Sequence, residues 1–133
     1  MRKILFACAI GLIFLSLGFA AFQKPSWDAP ADIKQKKNPI TPSDAVLRDS
    51  KAIFAEKCSN CHGDSGKGDG SDAMMYDPPP ADLTDAKRMS KFTDGEIFYK
   101  ITVGKKPMPS FEKRLSEEQR WGLVILVRSF AGH

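Results

Sequence analysis

The chain has 133 residues, of which 42% are hydrophobic and 27% charged, which suits one small soluble domain with its own core plus a targeting segment. Its net charge of +4 includes Arg2 and Lys3 at the extreme N-terminus. The remaining bias is too weak to argue for a nucleic-acid ligand.

Arg2-Lys3 followed by the apolar run Ile4 to Phe22, broken only by Ser16, reads as an export signal. Gly18-Phe19-Ala20 offers a small-residue cleavage site, yet 19 apolar-run residues approach the length that spans a bilayer. Residues 1–22 therefore read either as a cleaved signal peptide or as a retained membrane anchor. Cys8 follows too few apolar residues to be a lipoprotein cysteine and reads as a buried apolar side chain. Residues 23–40, with Pro25, Pro30, Pro39, Lys34, Lys36 and Lys37, read as an extended, solvated linker, on which Trp27 and Pro30 are candidates to dock. The remaining 41–133 forms the domain.

Thr41 is a candidate cap for the first long helix, with Pro42 at its first position and Asp44 completing a capping box. Val46, Leu47, Ile53 and Phe54 recur on one face, and the helix is expected to run into Cys58 and end at Gly63. Cys58-Ser59-Asn60-Cys61-His62 is a C-x-x-C-H run, the attachment signature of c-type haem. Two thiols one helical turn apart add to the two vinyl groups of one porphyrin, and the adjacent imidazole lies beneath the iron. A thioredoxin-like pair would need a strand-helix-strand setting, which is missing, and a zinc site needs more ligands than the motif holds, while outside it only Cys8, in the N-terminal apolar run, and His133, at the extreme C-terminus, remain.

Gly63 to Asp72 is glycine-rich but has neither the G-K-[ST] ending of a phosphate loop nor the order of a calcium loop. Its glycines are expected to let the backbone turn tightly and pass close to a flat cofactor. Pro78-Pro79-Pro80 forces an extended run, one of whose carbonyls is a candidate acceptor for the second nitrogen of His62; the alternative is a plain surface loop. Thr93-Asp94-Gly95-Glu96 is a capping box opening a helix to about Val103, with Ile97, Phe98 and Ile101 inward and Gly104 as its stop. Ser116-Glu117-Glu118-Gln119 opens the last helix in the same way. There Trp121, Val124, Ile125 and Phe130 form a stripe widened by Leu123, Leu126 and Val127. Nothing after Cys58 alternates like a strand.

Met74, Met75, Met89, Met108 and His133 are the candidates for a second axial ligand to the iron. Met108 is preferred, because Pro107 and Pro109 hold its loop stiff and a rigid thioether lowers reorganisation on electron transfer.

With Cys58-x-x-Cys61-His62-Gly63 late in a first helix, a glycine-rich loop, Pro80-Ala81-Asp82-Leu83, Asp94-Gly95-Glu96, Gly104 to Met108-Pro109-Ser110-Phe111 and a terminal helix with Trp121, the chain resembles class I cytochrome c over about residues 43 to 131. The resemblance implies an all-α cytochrome c fold, three to five helices around one covalently attached haem c. It implies thioether links at Cys58 and Cys61, iron ligands at His62 and Met108, and first-to-last helix packing with Phe54 and Trp121 as partners. In function it implies an electron carrier, not an enzyme, acting as an exported carrier or as a small haem subunit of a respiratory or denitrification chain. The partners are then redox proteins, donor and acceptor, including a membrane respiratory complex. The expected location is the periplasm or the outer face of the cytoplasmic membrane. The alternative is a peroxidase-like haem enzyme or gas-binding protein with an open iron site. Lys100, Lys105, Lys106, Lys113 and Arg114 flank Met108, either to steer acidic partners or as a plain solvated surface.

Overall fold

The computed structural model describes residues 27–132. The readings made for residues 1–22, Cys8 included, and for His133 lie outside this range. Among the described residues there are six α-helices and no named strand: α1 (Ala31–Lys34), α2 (Asp44–Lys57), α3 (Ser59–His62), α4 (Ala86–Met89), α5 (Asp94–Val103) and α6 (Glu117–Phe130), with a 3₁₀ turn at Ala73–Met75. Three of the six are single turns of four residues, so the long elements are α2, α5 and α6. The all-α expectation holds, with single turns added to the three to five helices expected.

Helix α6 is the centre of the core. Its capping box forms as the sequence implies: the Gln119 N–H donates to Ser116 Oγ at 3.1 Å and the Ser116 N–H to Gln119 Oε1 at 2.9 Å. Leu123, Val124 and Leu126 are fully buried. A helix apolar on most of its circumference needs partners on several sides, and α2 and α5 supply them.

The backbones of α2 and α6 come close at Ser50 and Gly122. A β-carbon on Gly122 would lie 2.7 Å from Ser50 Oγ and 3.5 Å from Val46 Cγ1, and Ser50 is only 3% exposed. First-to-last helix packing is thus present, but Phe54 and Trp121 do not pair. Phe54 meets Phe130 edge-on, with ring centroids 5.1 Å apart, and Trp121 stacks on Phe98 at 4.0 Å and 14°. The reason is angular: one residue before the α2-facing Gly122 is a rotation of about 100°, which turns Trp121 onto α5.

Helix α5 has the Thr93–Glu96 capping box and stops at Gly104, whose φ of 64° lies in the left-handed region. Arg128 ties the end of α6 to the junction between α4 and α5. Its Nε donates to Asp94 Oδ1 at 2.8 Å, its Nη1 to the Met89 carbonyl at 2.9 Å and its Nη2 to the Phe92 carbonyl at 2.6 Å.

Two expectations about the N-terminal half are corrected. The cap of α2 is Ser43, whose Oγ accepts from the Val46 N–H at 3.2 Å, not Thr41. The segment read as an extended, solvated linker is, from Trp27 onward, a strap against α5 and α6. The Asn38 side-chain amide donates to the Trp121 carbonyl at 3.0 Å, Lys34 pairs with Glu96 at 3.4 Å, and the Ile33 carbonyl occupies the space that a side chain at Gly95 would need.

Candidate haem site

The C-x-x-C-H run does not continue α2. Cys58 ends that helix, and its carbonyl accepts from the N–H groups of both Cys61 and His62, at 3.1 and 2.9 Å, winding the separate turn α3. Gly63 then reverses the chain at φ 74°. Cys58, Cys61 and His62 all face one cavity of about 380 Å³, within the range of small-molecule and cofactor sites. Its apolar wall is also the protein core: Phe54, Met89, Ile97, Ile101, Phe111, Leu123 and Val127 belong to both.

The electrostatics of the motif argue against thiol redox chemistry. Burial, reinforced by the neighbouring Cys61 and opposed by Lys57, pushes the Cys58 thiol up to about 11. A thioredoxin-like nucleophile needs the reverse shift. Burial holds the His62 pKa below its usual value, with the Ala81 carbonyl acting the other way. His62 Nδ1 lies 3.2 Å from that carbonyl. A carbonyl only accepts, so Nδ1 carries the proton and Nε2 keeps its lone pair for a metal. The acceptor is one residue past the Pro78-Pro79-Pro80 run whose carbonyls were the candidates.

The glycine-rich loop explains how Ala81 is held there. The Gly68 N–H donates to the His62 carbonyl at 2.7 Å, and the Leu83 N–H to the Gly66 carbonyl at 2.7 Å. A β-carbon on Gly68, at φ 76°, would come 2.5 Å from the Pro80 carbonyl oxygen. One on Gly66 would strike the Phe130 ring, and one on Gly70 the Asn60 carbonyl. These glycines let the chain pass close to itself, rather than to a flat cofactor as expected. No group of three or more His, Cys, Asp or Glu residues able to hold a metal occurs among the described residues.

Of the candidates for a second axial ligand, Met74 and Met75 are 98% and 69% exposed and do not line the cavity. Met89 and Met108 both line it. Met89 is only 4% exposed, within the core, whereas Met108 is half-buried on the loop after α5. That loop is pinned by atoms other than the thioether. Ser110 Oγ donates to the Thr102 carbonyl at 2.7 Å, and the Phe111 N–H to the Ile101 and Thr102 carbonyls at 3.3 and 3.2 Å.

Lys100 departs from the expected basic patch. It is half-buried, with Nζ donating to the Trp27 carbonyl at 2.9 Å, while Lys105, Lys106, Lys113 and Arg114 are exposed. Trp27 docks on the domain as the sequence allowed, but sequence reasoning missed its partner Lys100 and missed Ala81 as the partner of His62; both contacts join residues remote in the chain.

An apolar slot with paired thiols, a neutral imidazole and a thioether fits a haem attached through two cysteines. The family model for cytochrome C oxidase, cbb3-type, subunit III matches residues 45–127. The chain is similar in structure to a chain of the Kuenenia stuttgartiensis reducing HAO-like protein complex Kustc0457/Kustc0458, with TM-score 0.59 and 34% identity. That match covers 69% of this chain and 46% of the other, so this chain spans about half of that relative's length. A second similar structure is the c-type cytochrome KustC0563, with TM-score 0.55 and 26% identity over 62% of this chain and 96% of that one. A comparison with curated proteins finds no match. The chain belongs to the family so matched: it is a class I c-type cytochrome, a protein of haem-based electron transfer.

Proposed function

We propose that the protein carries one electron at a time on a single haem c, attached at Cys58 and Cys61 and ligated by His62 and Met108. The observation that supports this most is that these four side chains line one cavity although Met108, on the loop after α5, is remote in the chain from the Cys58–His62 motif. Bound haem c supplies a reversible one-electron couple at its iron. The Ala81 carbonyl orients His62 and strengthens it as a donor. The loop, anchored at Ser110 and Phe111, would hold the Met108 sulfur in place beside a bound haem and limit its movement on electron transfer. With His62 and Met108 both holding the iron, no coordination site would be left for a substrate, which supports a carrier rather than an enzyme.

The partners are redox proteins. Exposed Lys105, Lys106, Lys113 and Arg114 would steer acidic surfaces toward the Met108 side, with a rate that falls as salt rises. Similarity to a chain of a HAO-like complex supports work within a larger redox assembly as well as free diffusion. The N-terminal basic-apolar run supports export to the periplasm or to the outer face of the cytoplasmic membrane, with a membrane tether if the run is retained.

The test is the absorption spectrum of the oxidised holoprotein beside Met108→Leu. Wild type is expected to show the weak long-wavelength band of ferric iron bonded to methionine sulfur, and the variant to lose it. A high-spin wild-type spectrum, with ready carbon monoxide binding once reduced, would replace the carrier reading by an open-site haem enzyme or gas-binding protein.

A further inference from the structure

The cavity wall carries charge of one sign. Lys57, Arg88, Lys100, Lys105 and Lys106 line it, with no aspartate or glutamate among the described lining residues. Lys57, which pairs with Glu56 at 2.9 Å, and Arg88, Lys105 and Lys106 are exposed; Lys100 is half-buried. The Lys100 ammonium is caged by the strap and the loop before α5. Its Nζ lies 4.5 Å from the Trp27 ring centroid and 5.1 Å from that of Phe92, and donates to the Trp27 carbonyl at 2.9 Å. An ammonium has three N–H donors, and the rings stabilise its charge without accepting a conventional hydrogen bond. Burial lowers the Lys100 pKa; Asp28 and Glu96 act against that, while Lys105 and Lys34 add to it. A half-buried cation at the rim of an apolar slot is poised for an anion inside the slot.

The cage does not depend on Lys100 for its position. The strap is fixed separately by Asn38 on the Trp121 carbonyl, by Lys34 on Glu96 and by the close approach of Ile33 to Gly95. We infer that Trp27 and Lys100 form a built-in carboxylate site at the pocket rim, with Trp27 holding the Lys100 ammonium to receive one of the two carboxylates of the haem. The strap is then a wall of the cofactor site, and Trp27 is a positioning residue acting through Lys100. This rests on the haem reading above and adds a residue and a segment to it.

The experiment is spectroelectrochemical titration of the holoproteins: wild type, Lys100→Gln, Lys100→Arg, Trp27→Ala and a control, Lys51→Gln, at an exposed position of α2 outside the cavity lining. Without its cation, the carboxylate charge is left to favour ferric iron. At fixed ambient potential the ferrous-to-ferric ratio of Lys100→Gln is expected to fall about tenfold, the order for loss of a unit charge about 10 Å away in a partly buried site. For a one-electron couple that is a drop of about 59 mV. Trp27→Ala should fall in the same direction by a few-fold, while Lys100→Arg and Lys51→Gln stay within about twofold of wild type. A Lys100→Gln shift no larger than that of Lys51→Gln overturns the proposal, as does an Arg variant that behaves like the Gln variant. The absorption spectrum of each sample reports axial ligation independently. Failure of the His62/Met108 reading would appear already in the wild-type spectrum and is distinguishable from failure of the carboxylate site.

Discussion

The close approach of α2 to α6 makes the effect of one methyl group depend on its neighbour. In an ordinary helix interior, Gly→Ala stabilises by about 0.8–1 kcal/mol. At Gly122 the new β-carbon would sit 2.7 Å from Ser50 Oγ, inside van der Waals contact, in a region where Ser50 is 3% exposed. Overpacking of this kind costs about 1–3 kcal/mol, so Gly122→Ala should lower stability by a net of about zero to 2 kcal/mol. With Ser50→Ala in place, the hydroxyl is gone and the nearest remaining atom is Val46 Cγ1 at 3.5 Å, an ordinary contact. Gly122→Ala should then stabilise, by about 0.5–1 kcal/mol, because only the helix propensity remains. The coupling between the two sites is about 1–3 kcal/mol, and it is free of the cost of Ser50→Ala itself because the cycle subtracts that term. Urea unfolding of the four holoproteins, followed by far-UV circular dichroism with comparable slopes, measures it. If Gly122→Ala has the same effect in both backgrounds to within about 0.5 kcal/mol, the hydroxyl does not limit the crossing and the packing argument fails.

Two further outcomes concern the supports of the site. Glu96 is held below its usual carboxylate pKa of 4.5, first by the Thr93 N–H and then by Lys34. A depressed folded-state pKa gives stability that is complete above the unfolded value and is lost as pH falls through the folded one. Stability should therefore decline as pH drops below about 4.5, with a smaller slope in Glu96→Gln; equal slopes in acid titrations of unfolding would remove Glu96 from the account. Gly68→Ala combines a φ of 76° with a contact of 2.5 Å to the Pro80 carbonyl oxygen, so the Pro80–Ala81 backbone must move. The expected cost is about 1–3 kcal/mol, with faster hydrogen exchange at the Leu83 N–H that bonds to Gly66; unchanged exchange there would show that the loop absorbs the methyl elsewhere.

The parts of this fold that were legible from sequence are those decided within a few residues. The Thr93–Glu96 and Ser116–Gln119 boxes close over one turn, so their side chains need no knowledge of the rest of the molecule. The choice between Thr41 and Ser43 was different. Asn38 bonds to Trp121, 83 residues away, and to the N–H of Ile40, and so holds the preceding chain extended along α6 until Ser43. The same holds at the site. Spacing and flanking prolines mark Cys58, Cys61, His62 and Met108 in the sequence, and all four line one cavity, but the acceptor for His62 is reached across 19 residues of looped chain. The placement of Lys100 depends on Trp27, 73 residues earlier, and a run of prolines and lysines carries no signal of where it will dock.

Core and cofactor site share their walls, which bears on how any variant here is interpreted. Phe54, Ile97, Ile101, Phe111, Leu123 and Val127 are core residues that face the cavity. The cavity of about 380 Å³ leaves these core side chains without packing partners on one face. A bound haem therefore acts as the missing piece of the core, and truncating any wall residue would change stability and redox behaviour together. Met108 also lines the cavity and packs against the core, but it feels this coupling less than the fully buried wall residues. It is half-buried, and its loop is anchored by the Ser110 hydroxyl and the Phe111 N–H, neither of which involves the thioether. Leucine in place of methionine nearly conserves volume, a change that usually costs less than about 1.5 kcal/mol. At this position, more than at the wall positions, loss of a spectroscopic feature can be assigned to loss of a ligand rather than to loss of the fold.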